Sequence, residues 1–184
     1  TTASGGVPAF DVAAIETLGE GDAATISGST YFLDGSVSAT LGAGTVLTCS
    51  ANFSNATERP GALKLLGSGV WRAACTSEAN APVFTAASVA DFTGRIVVAS
   101  GAVLRMDGAV DFPAVELEDG AIVLLKLDRG DKIADWGKVT FPSEGTVTIK
   151  ACRDDAIAQV ESPLDLGMDL SSVSDADRAK IKVV

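Results

Sequence analysis

The chain contains no histidine. That absence removes Ser-His-Asp and Cys-His nucleophilic catalysis and the common zinc sites, all of which rely on imidazole. Basic residues are scarce too: 14 Lys and Arg stand against 24 Asp and Glu, for a net charge of −10. A phosphate-binding face needs clustered Lys and Arg, so neither nucleic acid nor an anionic membrane surface is expected as a partner. The acidic balance favours solubility and leaves cations or basic partners as its electrostatic role. No apolar run reaches the roughly 18 residues of a spanning helix, so no direct membrane insertion is expected. The first residues, TTASGG, lack the charged and apolar regions of a signal peptide, which leaves the compartment open. The three cysteines are an odd number, so they cannot all pair within the chain.

What is present suits a packed β domain. Hydrophobic residues make up 47% of 184 positions, enough for one domain with a core of its own. The apolar stretches are short, β-branched and separated by Gly or polar turns: ATIS, TVLTC, GRIVVAS, AIVLLKL and TVTIKA. This spacing predicts an all-β fold. FDVAAIETL (10–18) has the composition for a helical turn or two, and Ser174 is placed to N-cap a short helix with acidic residues in its first turn. The end, AKIKVV, reads as an edge strand, with Ile181 and Val183 alternating with Lys180 and Lys182. Residues 1–184 are read as a single β domain excised from a larger protein. Positions 1–24 are taken as an N-terminal cap or irregular segment, and 160–184 as a C-terminal edge or cap.

One unit recurs along the chain: an apolar stretch, a small or polar residue, Gly, then a second apolar stretch. It appears as LGAGTVLTC, LLGSGVWRAA, VVASGAVLRM, LEDGAIVLLKL and FPSEGTVTIKA. Its glycines are Gly44, Gly69, Gly101, Gly120 and Gly145, with the longest interval from Gly69 to Gly101 and the shortest from Gly101 to Gly120. Corners recurring at about 20 to 30 residues match the coil length of a β-solenoid. The fold predicted is a short right-handed parallel β-helix, with a β-sandwich as the alternative. Alternation of side chains sends Ala121, Val123, Leu125 and Leu127 inward, and likewise Ala102, Leu104 and Met106. The phase flips after Gly145, where Val147, Ile149 and Ala151 turn inward, and after Gly69, where Trp71, Ala73 and Cys75 do.

The stretch DFTGRIVVASGAVLRM (91–106) resembles the autotransporter-associated β-strand repeat of bacterial surface proteins. Phe92, Thr93, Gly94, Val98 and Gly101 fall at matching places, with Val103 where the family usually has Leu. Arg95 and Ile96 stand where Gly and Thr are common. The resemblance covers this one unit, and the other corners share only the Gly and its apolar flanks. It implies a right-handed β-helix in an exported passenger that acts as a stalk or adhesin on the bacterial outer surface. It carries over no catalytic residue and no cofactor, and its partners would be a host-cell or glycan ligand.

Candidate chemistry is sparse. Cys49 and Cys75 both take the inward phase and are separated by close to the length of one coil. They are either two reduced core residues or, in an oxidising setting, a stacked pair that forms a disulfide. Cys152 takes the outward phase, and nothing near it in sequence would activate its thiol. Arg129, Gly130 and Asp131 spell the tripeptide that integrin ligands display on exposed turns, although Gly between charged residues is also ordinary turn chemistry. Asp107, Asp111, Glu116, Glu118 and Asp119 cluster as carboxylates, either for calcium or acid/base work on glycans or as solvated turn residues. Asn52 and Asn55 begin glycosylation sequons. Trp71 and Trp136 are read as core or cap residues before sugar-stacking ones. The function expected is non-enzymatic: a structural or adhesive segment, with a carbohydrate-active β-helix enzyme or a carbohydrate-binding module as the alternative.

Overall fold

The computed structural model describes residues 21–27, 30–32, 35–54, 61–108, 111–127, 136–153 and 168–184. Four sheets account for most of them. Six strands form the largest, in the spatial order β1 (Ala23–Ile26), β4 (Val46–Cys49), β7 (Val70–Ala73), β9 (Arg95–Val98), β11 (Ala114–Leu117) and β13 (Val139–Thr140). A five-stranded sheet runs β15 (Ile181–Val183), β14 (Val147–Arg153), β12 (Ile122–Leu127), β10 (Val103–Asp107) and β8 (Val83–Phe84). Two pairs complete the set: β2 (Thr30–Phe32) with β5 (Asn52–Ser54), and β3 (Gly35–Leu41) with β6 (Gly61–Gly67). Two single-turn helices, α1 (Ala86–Val89) and α2 (Asp175–Arg178), interrupt the strands.

Every strand pairing among the described residues is parallel. Parallel neighbours cannot be joined by a tight hairpin, so the chain must leave one sheet and return before pairing. It does so regularly: β9 to β14 alternate between the two large sheets in chain order. Val46 pairs with Val70, Val70 with Arg95 and Val115 with Val139, so these tiers return after nearly the same length of chain. One tier is shorter, and both sheets record it: Arg95 pairs with Ala114, and Val103 with Ile122. The hairpin-linked antiparallel sheets of a β-sandwich have no counterpart among the described residues. The stretch 91–106 follows the same rule, since β9 and β10 lie in different sheets and do not pair with each other.

The inward phase expected from the sequence is realised. Ala121, Val123, Leu125 and Leu127 are buried, as are Ala102, Leu104, Met106, Val147 and Ile149, and Ala151 is half-buried. Together with Leu47, Trp71, Ile96 and Val98 they belong to one continuous cluster. Each fully buried Val, Leu, Ile or Met among them contributes about 1.5–3 kcal/mol by leaving water. Val103, expected to face outward, is nonetheless buried, because with Cys75 and Ala81 it forms a second small cluster against Ile122 and Leu124. Cys75 accordingly sits apart from Trp71 and Ala73, beyond the end of β7.

The five glycine corners do not form one stack. Gly44 and Gly69 precede strands of the six-stranded sheet, whereas Gly101, Gly120 and Gly145 precede strands of the five-stranded sheet. Both corners use Gly between apolar flanks, which is why one pattern covered two places. The phase flips also have causes. Gly120 is in register with Thr146, so Gly145 lies one residue earlier in its turn, where its φ is +90° and the Asp119 carboxylate receives the Thr146 N–H at 2.8 Å. At the other corner the positive φ belongs to Gly67, at +86°. Gly69 is needed for space there: a Cβ on it would stand 2.6 Å from the Gly42 carbonyl oxygen and 2.9 Å from that of Thr45.

At the C-terminal end, Ser174 caps α2, its hydroxyl receiving the Asp177 N–H at 3.1 Å. Lys180 Nζ then reaches Asp177 at 2.9 Å and the Pro142 carbonyl at 2.8 Å, tying the segment to the preceding tier. β15 pairs with β14 and is the outermost strand of its sheet. The helical turn expected over 10–18 lies outside the described residues.

Candidate functional site

The clustered carboxylates do not converge. Asp107 pairs with Arg105 on its own strand, at 3.1 Å. Glu116 faces Arg95 at 3.6 Å, and Asp119 holds the turn before β14. Glu118 receives two hydrogen bonds from Arg72, at 2.6 and 3.0 Å, and a third from the Ser100 N–H at 3.0 Å. The Arg72 bonds hold the Glu118 carboxyl below its ordinary value, and the Ser100 amide adds to the effect. Further pairs join distant tiers: Lys64 with Asp91 at 2.5 Å, and Lys150 with Glu78 at 2.6 Å. Among the described residues no group of three acidic or cysteine side chains is placed to hold a metal ion.

Cys49 and Cys75 are both buried, with free thiols. Cys49 pairs with Ala73, so the chain completes its return to β4 two positions before Cys75. Cys75 therefore lies past the end of β7, in the separate small cluster with Ala81 and Val103. Burial pushes the Cys49 thiol up to about 12. The Cys75 thiol is 3.5 Å from Asn52 Oδ1, which places the first sequon's Asn against a cysteine in a half-buried position. Cys152 lies in β14. Arg129, Gly130, Asp131 and Asn55 lie outside the described residues.

Neither tryptophan is available to stack on a sugar. Trp71 is fully buried and meets Phe84 edge to face at 5.8 Å; Trp136 is buried against Phe112 at 4.9 Å, and its backbone N–H reaches Ser172 Oγ at 3.2 Å. Both indole N–H groups lack a hydrogen-bond partner. This makes them packing residues.

A cleft of about 450 Å³ opens beside the short tier. It is lined by Ala86 and Val89 of α1 with the following Ala90, by Phe92, Phe112 and Pro113, and by the exposed Asp111 and Lys138. The register shows how it arises. Arg95 pairs with Ala114, so Phe92 and Asp111 each lie three residues before a paired position, and Ala114 precedes Val115, the partner of Val139. The tier carrying α1 runs from Val70 to Arg95, the next only from Arg95 to Ala114, and the one after it from Val115 to Val139. A recessed tier between two longer ones leaves a notch. Asp111 stood among the sequence candidates; Lys138 and α1 did not. The signal for the notch was the short interval from Gly101 to Gly120. Compared with protein-family models, curated proteins and solved structures, the chain matches none.

Proposed function

We propose that the chain is a non-enzymatic structural or adhesive segment of a secreted or cell-surface bacterial protein, built as a short right-handed parallel β-helix. The observation that carries this reading is the use made of charge. Arg72–Glu118, Lys64–Asp91 and Lys150–Glu78 join positions 46, 27 and 72 residues apart, so ionic groups hold tiers together instead of meeting around a reacting atom. Parallel tiers and a continuous apolar interior suit a rigid stalk. The resemblance of residues 91–106 to the autotransporter-associated repeat supports the exported setting.

The enzyme alternative needs two carboxylates flanking a substrate. Glu116, Glu118 and Asp119 are each turned toward a separate cation or backbone amide instead. The binding-module alternative has one observation in its favour, the notch beside the short tier. Retention of the labelled protein on cell surfaces and on an immobilised glycan panel tests the reading, together with release of reducing ends from the same polysaccharides. Retention without product is expected; chain-dependent product release would overturn the non-enzymatic assignment.

A further inference from the structure

We propose that the notch between α1 and the short tier is a binding site for a neutral sugar, with Asp111 and Lys138 as its polar contacts. This deepens the adhesive reading and rests on it for its biological meaning. The volume of about 450 Å³ lies within the roughly 300–1,000 Å³ range of small-ligand sites. Its origin is specific to one place, because the short returns from Arg95 to Ala114 and from Val103 to Ile122 recess a single tier beneath the projecting α1.

The two exposed charged residues of the lining are chemically unusual for this protein. Among the described basic side chains, only Lys138 and Lys182 make no hydrogen bond or ion pair. Among the described acidic ones, only Asp111 and Glu144 share that condition. Two of these four meet at the notch. A carboxylate only accepts hydrogen bonds and an ammonium only donates them, whereas a hydroxyl does both. Vicinal hydroxyls therefore satisfy the pair together, while a C–H face lies against Ala86 and Ala90, the exposed apolar residues of the lining. The net charge of −10 works against sulfated or sialylated glycans, which makes a neutral sugar the fitting class. Charge pairing alone would suit a zwitterion, but both charged groups are solvent-exposed and such pairs are weak in water.

Titration of the whole chain with cellobiose, maltose and lactose, followed by amide chemical-shift changes, tests the site, with free phenylalanine as the zwitterionic probe. Ala90→Trp fills the notch from an exposed position, and Asp111→Asn and Lys138→Gln remove the charges without touching the core. At least one disaccharide is expected to shift resonances of residues 89–92 and 111–113. Its affinity should fall about tenfold or more in Ala90→Trp and about three- to tenfold in each polar variant. No binding by any of the three sugars, binding insensitive to Ala90→Trp, or binding of phenylalanine alone would overturn the proposal. Sugar binding that maps elsewhere removes the notch and leaves the adhesive reading standing. Turnover of the bound sugar would remove the non-enzymatic reading and leave the notch.

Discussion

The guanidinium of Arg72 on β7 holds Glu118, just past β11, through two hydrogen bonds of 2.6 and 3.0 Å that span the intervening strand β9. The position bridged is Val97, which pairs with Arg72 on one side and Glu116 on the other. Val97 points away from the core, since its neighbours Ile96 and Val98 point into it, yet it is only 6% exposed. Three tiers are thus tied on their outer face by one ion pair laid over an aliphatic side chain. Sequence spacing held no sign of this, because the partners are brought together only by the register of β7, β9 and β11.

Glu118→Gln should lower stability by about 1 kcal/mol at neutral pH, because both side chains are about a third exposed and the pair is screened. The carboxyl is held below its ordinary 4.5 by Arg72, so its contribution is present above that value and lost as pH falls through the folded pKa. Urea unfolding of wild type and variant between pH 7 and pH 2 should show the two curves merging at the acid end. A constant difference across that range would show that the charge is not responsible.

Trp71 offers a contrast between volume and polarity. Its fully buried ring meets Phe84 edge to face, but its indole N–H has no hydrogen-bond partner. Trp71→Ala should cost about 3–5 kcal/mol through the cavity it leaves. Trp71→Phe also removes an unsatisfied donor, so its cost should be less than half as great. Chemical denaturation of the two variants measures the difference, and equal losses would contradict this account.

Alternation and turn chemistry made the inward faces of β10, β12 and β14 legible, because strand periodicity depends only on nearby residues. Tier-to-tier relationships depend on the length of each return, which is short from Arg95 to Ala114 and long from Ile122 to Thr148. The five glycines divide between two corners because Gly44 and Gly69 precede strands of one sheet and Gly101, Gly120 and Gly145 strands of the other. The short return created the notch, whose lining joins Asp111 to Lys138 of the following tier. Helix α1 was missed because Ala86–Val89 is one turn of small and β-branched residues whose Thr85 N-cap makes no side-chain cap bond.

Gly69 and Gly101 should respond differently to Ala. Gly101 has open space around its missing Cβ but a φ of +70°, so Gly101→Ala should cost about 1–2 kcal/mol in backbone strain alone. At Gly69 the backbone is ordinary, but an added Cβ would lie 2.8 Å from Leu41 Cβ and closer still to the Gly42 carbonyl. Since these contacts belong to the adjoining tier, Gly69→Ala should cost more than Gly101→Ala and slow cooperative assembly of the six-stranded sheet. Thermal unfolding of both variants ranks them, and the reverse order would mean that the corner relaxes freely.

Cys49 supplies a prediction at the alkaline end. Its thiol is pushed up to about 12 from an ordinary 9.0, chiefly by burial. A thiol that stays protonated in the folded chain but ionises in the unfolded one stabilises the fold fully below about pH 9 and progressively less above it. Stability should therefore decline between pH 9 and pH 11 in the wild type and less steeply in Cys49→Ala, which has no thiol to ionise. Iodoacetamide at pH 8 should label Cys49 slowly in the native protein and fast in denaturant, because the thiolate is the reactive form. Mass spectrometry of the peptide spanning Cys49 distinguishes the two cases. Rapid native labelling would mean that the β4 edge of the core opens far more readily than its burial implies.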